Sequence, residues 1–253
     1  MFSLSDDPSR IQLFEKYADF PLPEDDAPLR LLEWKERTSH GESITIERAT
    51  DLEHRPDCAL RIIFAPLDLP ESTTMRSLLY LFNKYYIPSN FISERLQSVA
   101  RSFGSKTYSD GSECLWYHFL CKNINTEQDP LKPQYVTIKN PVYKPNFKGQ
   151  SQADFSWIRA AFFLKFENAK TDDEDPSVKK SITLICFGAS ESLFERFSRL
   201  RERAEWNEAL QDPIVLFDIV LDELYLQLDG VSWNLNEVYG DMERVRPLYL
   251  ALV

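Results

Sequence analysis

Residues 87–96 read Ile87-Pro88-Ser89-Asn90-Phe91-Ile92-Ser93-Glu94-Arg95-Leu96, and residues 114–124 read Cys114-Leu115-Trp116-Tyr117-His118-Phe119-Leu120-Cys121-Lys122-Asn123-Ile124. Pro88 disfavours helical geometry at Ile87 and so separates the helix before it from the helix after it. Ser89 then offers a hydroxyl to the unpaired amides of a first helical turn, and Phe91, Ile92, Leu96 and Val99 recur on one face. The spacing predicts a helix over 89–103, ended by Gly104 in the left-handed conformation that glycine adopts at little cost. The second stretch is dense in aromatic side chains and predicts a strand over 113–122.

Working outward from this pair, apolar positions 75, 78, 79, 81 and 82 predict a helix over 73–85, and Ala59 to Phe64 reads as a strand closed by Pro66. Leu31 to Trp34 and Ser43 to Glu47 read as short strands around a polar turn at Ser39-His40-Gly41, and 7–18 as a short amphipathic helix. Toward the carboxyl end, 155–167 and 180–187 read as strands joined by the exposed run Thr171 to Pro176. Residues 125–150 form an irregular excursion with at most one short strand near 135–138. Helices are predicted over 190–207, 213–228 and 232–244, with Pro213 at a first turn where its missing amide does no harm. Strands interspersed with helices predict one mixed α/β domain over 1–253, a central mixed sheet flanked by helices with a helical carboxyl-terminal part.

The phrase from Ile87 to Ser105 together with Cys114–Ile124 resembles the amino-terminal soluble portion of the fungal CorA-like magnesium transporter family. Further fragments are similar: Trp157-Ile158-Arg159, Phe162-Phe163-Leu164-Lys165, Thr183 to Gly188, Asp212-Pro213, Trp233-Asn234-Leu235 and Met242-Glu243. The resemblance spans roughly residues 50 to 245 and implies the α/β/α sandwich of the CorA cytosolic domain. It also implies a homo-oligomer like the CorA ring, in which cytosolic carboxylates at subunit contacts bind Mg²⁺ and favour a closed channel. The pore features of that family are missing. None of the three methionines, Met1, Met75 and Met242, lies in a Gly-Met-Asn motif, and the longest apolar runs, such as Ala160 to Leu164 and Leu248 to Val253, fall short of the roughly 20 residues of a spanning helix. The apolar ending Leu248–Val253 favours a piece of a longer chain whose remainder would hold a stalk helix and membrane segments, the only link to a membrane.

Composition narrows the partners. A net charge of −11 and a pI near 4.9 repel nucleic-acid phosphates and anionic headgroups, so nucleic acid is excluded as a partner. Only 7 glycines leave little for a glycine-lined phosphate cradle. Cys58, Cys114, Cys121 and Cys186 sit without a secretory leader ahead of them, which predicts reduced thiols and a cytoplasmic protein.

Candidate chemistry is sparse. Cys114, His118 and Cys121 are soft ligands close together, yet on a strand Cys121 would face away from the other two, so a packed strand is the better reading than a zinc site. His40, His54 and His118 stand in no nucleophile or acid–base frame, and no catalytic or cofactor-binding residue is assigned. Oxygen-rich sites suit Mg²⁺. Asp218 and Asp222, four apart on one helix face, are the candidate metal residues, set against a solvated acidic surface, while Asp172 to Asp175 lie on a connection that would cost entropy to order. Trp116, Phe119, Trp157, Phe162, Phe163 and Phe187 are assigned to the core, with Arg95, Arg159 and Lys165 pairing carboxylates at its rim. The expected function is a regulatory or divalent-cation-sensing domain unable to transport alone. The alternative is a stand-alone CorA-derived domain that binds a small molecule or serves as an accessory factor or enzyme.

Overall fold

Leu60–Ala65 and Ile182–Phe187 have every side chain buried, as apolar runs must when both faces of a strand are covered. These are β3 and β9, and they pair in parallel, Leu60 opposite Ile182 through Ala65 opposite Phe187, at the centre of a seven-stranded sheet. The computed structural model describes residues 12, 14, 16, 27–35, 40–124, 126–128, 136–138, 155–167, 181–201 and 206–250. In chain order the strands are β1 (Leu29–Trp34), β2 (Glu42–Ile46), β3, β4 (Arg101–Thr107), β5 (Ser112–Ile124), β6 (Thr126–Gln128), β7 (Val136–Ile138), β8 (Phe155–Glu167) and β9. The helices are α1 (Met75–Lys84), α2 (Ser89–Leu96), α3 (Glu191–Leu200), α4 (Trp206–Gln211) and α5 (Val215–Leu250), with a 3-10 turn at Ala49–His54.

The sheet order is β2-β1-β3-β9-β8-β5-β4, antiparallel at β2-β1, β1-β3, β9-β8 and β5-β4. Alternation along the strands sends Leu31, Ile63, Ala161, Phe163, Ile185, Phe187, Cys114 and Trp116 to one face, where Met75, Leu78, Leu81, Phe82, Phe91 and Ile92 of α1 and α2 cover them. The other face carries Phe64 against Phe194 and Phe197 of α3, and Trp34 against Trp206 of α4. Helices therefore cover both faces of a mixed sheet, as the sequence leads one to expect.

The chain divides into two compact units. The first comprises Met1–Leu120 with Arg159–Val220, and the second Cys121–Ile158 with Leu221–Val253. The first holds the central strands and the helices on both of their faces. In the second, β6 and β7 form a two-stranded antiparallel sheet, and Leu224 and Val231 of α5 are buried while Tyr225, Leu226, Trp233 and Tyr239 are exposed. Among the described residues no helix is long and apolar enough to cross a membrane.

Three sequence expectations need correction. The helix beginning at Ser89 stops at Leu96 rather than at 103, because Ser98 takes a positive φ of 54° and the amides of Ser98 and Val99 close onto the carbonyls of Arg95 and Glu94. Residues 101–107 are instead the edge strand β4, with Gly104 opposite Trp116. Helices over 213–228 and 232–244 are one continuous helix of 36 residues, since the glycine between them costs only about 1 kcal/mol in a helix interior. Ser232 donates to the Leu228 carbonyl at 2.9 Å within that helix. Trp157, assigned to the core, is 46% exposed. The expected helix over 7–18 is described only at Gln12, Phe14 and Lys16, all helical, and the irregular excursion over 125–150 only at β6 and β7.

Candidate functional site

The stretches 87–96 and 114–124 meet within the sheet-and-helix layers of the fold. Helix α2 lies on the face of the sheet where β5 presents Trp116 and His118. Its entry differs from the expected one: Pro88 is the residue before the first turn, extended at φ −61° and ψ 145°, and Ser89 is already helical. Phe91 stacks on the His118 imidazole with ring centres 4.4 Å apart. One turn on, Glu94 and Arg95 reach the sheet by different routes. Glu94 Oε2 accepts from the indole Nε1 of Trp116 at 2.9 Å and from Ser102 Oγ at 2.7 Å. Arg95, 4% exposed, donates through Nη2 to the Ala160 carbonyl of β8 at 3.1 Å and stands 2.8 Å from Oδ1 of Asp68.

Asp68 comes from the connection after β3 and is fully buried. Its contact with Arg95 is an ion pair without the alignment of a hydrogen bond, and neither of its oxygens has a hydrogen-bond partner among the described residues. Burial pushes the Asp68 carboxyl above the usual range, and Arg95 only partly restores its charge. His118 lies on the other side of Asp68, with Nδ1 3.7 Å from Oδ2. Its Nε2 is 3.0 Å from the Phe91 carbonyl, an acceptor, so Nε2 carries the proton and Nδ1 keeps its lone pair. Burial, and then the nearby Arg95 charge, push the imidazole down to about 3, so it is neutral at ordinary pH. Glu94 Oε2 is 3.8 Å from its Nε2.

A second buried carboxylate lies in the same unit. The antiparallel register of β1 and β3 sets Glu33 directly opposite Arg61, and Arg61 Nε donates to Glu33 Oε1 at 2.8 Å. Arg55 donates to the other oxygen, and Arg61 Nη2 reaches the Pro56 carbonyl at 2.8 Å. Cys58 beside this cluster is buried and its thiol is pushed up to about 11 by desolvation.

The residues singled out from sequence are distributed otherwise. Asp218 and Asp222 are both exposed on α5, four residues apart on the one helix. Cys114 is buried with Sγ 3.5 Å from the Tyr108 hydroxyl, His118 faces α2, and Cys121 is half-buried, with no group of three potential metal ligands among the described residues. Asp172 to Asp175 lie outside the described residues. Asp68 and Glu33 are not singled out by sequence; the only signal was a lone acid within a run of proline and leucine for the first, and an acid inside an apolar strand for the second.

The Asp68–Arg95–His118 cluster can hold helix, sheet and loop together through charge. With the imidazole neutral and every member buried, it holds a charge pair rather than a proton donor aimed at solvent. No family model, curated protein or solved structure matches this chain.

Proposed function

We propose that the chain is a regulatory, divalent-cation-sensing domain of the CorA-like kind, located on the cytoplasmic side, that does not itself transport. The observation that carries the reading is a seven-stranded mixed sheet with helices on both faces leading into one helix of 36 residues. At 1.5 Å per residue that helix is about 54 Å long, a length suited to relaying a change at one end to the other. Asp218 and Asp222 stand exposed upon it, one turn apart. Two carboxylates at that spacing are enough for Mg²⁺, which keeps much of its water and asks for few protein oxygens. Cation binding would then favour one subunit arrangement through its higher affinity for that arrangement.

The test is thermal unfolding against Mg²⁺. A site of millimolar affinity present only in the folded chain stabilises it by about 1 kcal/mol at about 10 mM Mg²⁺, and the paired substitution of Asp218→Asn with Asp222→Asn removes that shift. A shift that survives the double substitution rejects the helix site, and no shift in the unaltered chain rejects cation sensing.

A further inference from the structure

Helix α5 carries apolar side chains on two sides where a surface helix ordinarily has one. Within the second unit, Leu224 and Val231 are buried on one side, while Leu221, Tyr225, Leu226, Trp233 and Tyr239 are each between 45% and 65% exposed on the side away from them. Nine large apolar side chains are exposed among the described residues, and five of them fall within this short length of one helix. They make a patch, not the scatter of single side chains that any surface shows. A helix that is apolar all round is ordinarily covered all round.

The order within the patch is regular. Helical spacing sets Leu221, Tyr225 and Tyr239 along one line and Leu226 and Trp233 along a second, with Asp222 and Asp229 running between the two. Tyr225 and Tyr239 are two heptads apart, and Leu226 and Trp233, like Asp222 and Asp229, are one heptad apart. A repeat of seven keeps one helix in register with another laid along it. The charge is of one sign. Asp222, Asp229 and Glu237 are all exposed, and the basic residues nearest in sequence are Arg203 on one side and Arg244 on the other.

We infer that Leu221–Tyr239 is the docking face for a basic amphipathic helix of a partner protein, whose apolar side chains pack between Tyr225 and Trp233 and whose Lys and Arg meet Asp229 and Glu237. An amphipathic helix gains affinity from its apolar anchors and its choice of partner from the charges beside them. A second copy of this chain fits poorly, since it would bring the same acids against this face. Lipid fits poorly as well, because the patch has no lysine or arginine to meet anionic headgroups.

The experiment is fluorescence anisotropy of a labelled synthetic peptide of about three heptads, with leucine along its seam and lysine beside it, titrated with the full chain. Two further peptides serve as controls, one with every lysine replaced by glutamate and one with every leucine replaced by glutamine. The unaltered chain should bind the leucine–lysine peptide at about 10 µM and roughly tenfold more tightly than either control. Asp229→Lys with Glu237→Lys should exchange the preference, so that the glutamate peptide becomes the tighter ligand. Tyr225→Ser with Trp233→Ser, which leaves the net charge alone, should weaken binding about tenfold or more while the melting temperature stays as it was. Asp218 and Asp222 are unchanged in every variant, so the result does not depend on the proposed cation site. The inference fails if the glutamine peptide binds as well as the leucine–lysine peptide, which would reduce the attraction to bare charge, or if the charge exchange does not exchange the preference. It fails equally if sedimentation shows a dimer of the unaltered chain that Tyr225→Ser with Trp233→Ser dissolves, or if the chain binds phosphatidylcholine vesicles through this face and the peptide not at all.

Discussion

Glu33 and Asp68 are both buried carboxylates facing arginine in the same unit, and the fold treats them differently. Glu33 sits on a regular strand, so pairing register places Arg61 directly across from it, and Arg55 takes the second oxygen. Asp68 sits on a connection with no register to supply a partner. It depends on Arg95 from α2, which also serves the Ala160 carbonyl, and its own oxygens stay without aligned donors among the described residues. A charge placed on a ladder inherits its geometry from the backbone, whereas a charge placed on a loop receives only what a neighbouring helix can spare. The first cluster fastens two strands; the second couples loop, helix and two strands, and any shift of α2 changes its charge balance.

The contrast is broken most directly by deleting each acid. Glu33→Ala leaves two guanidinium groups around an uncompensated site and should cost about 3–5 kcal/mol, read as a lower urea midpoint at unchanged slope. Asp68→Ala leaves one guanidinium that still has the Ala160 carbonyl, and should cost about 1–3 kcal/mol. Equal losses would mean that the two carboxylates are equally well satisfied.

Acid titration sharpens the same difference. His118 is held neutral in the fold, down to about 3, while the unfolded imidazole takes a proton near the ordinary value of 6.5. Its stabilising effect is therefore complete above pH 6.5 and is lost as pH falls below it, by about 1.4 kcal/mol per unit or about 3 kcal/mol between pH 6.5 and 4.5. Asp68 works in the opposite sense. Its raised carboxyl pKa favours the folded state below the unfolded value of 3.8, and this is lost as pH rises through the folded value. His118→Gln keeps a donor for the Phe91 carbonyl but cannot titrate. The difference in stability between it and the unaltered chain should narrow or reverse on acidification, and a pH-independent difference would show that His118 does not titrate in this way.

Much of the fold was legible because burial writes itself into β3, β9 and the Ala160 to Leu164 part of β8 as largely apolar stretches, and alternation marks β5. Edge strand β4 was not, since Arg101-Ser102-Phe103-Gly104-Ser105-Lys106-Thr107 has no apolar face and takes its shape from pairing with β5. The two left-handed helix ends were also hidden, because Tyr86 and Ser98 stand where the recognisable signal would be glycine. Of the polar cluster, Arg95 could be read as a partner for some carboxylate. That the carboxylate was Asp68 depends on tertiary placement of a loop, which no local spacing encodes.

Gly104 marks the smallest expected effect and the finest test of how α2 is seated. Sequence alone makes it a helix end, yet its place is opposite Trp116 on β4, where an added Cβ would lie 2.2 Å from Cζ2 and 2.3 Å from Cε2 of the indole. The ring cannot stay where it is if Gly104 becomes alanine, and it cannot move without disturbing the 2.9 Å bond from Nε1 to Glu94. Gly104→Ala should therefore cost about 1–3 kcal/mol, the usual range for overfilling a packed site, with an altered tryptophan emission as the indole shifts. Because Glu94 also stands 3.8 Å from Nε2 of His118, the same substitution should move the low-pH end of the acid titration of stability, which the folded imidazole sets, and leave its slope at one proton. A loss of stability that left the emission and the titration as they were would separate the Trp116–Glu94 contact from the buried Asp68–Arg95–His118 cluster, and the helix would then be held by its apolar face alone.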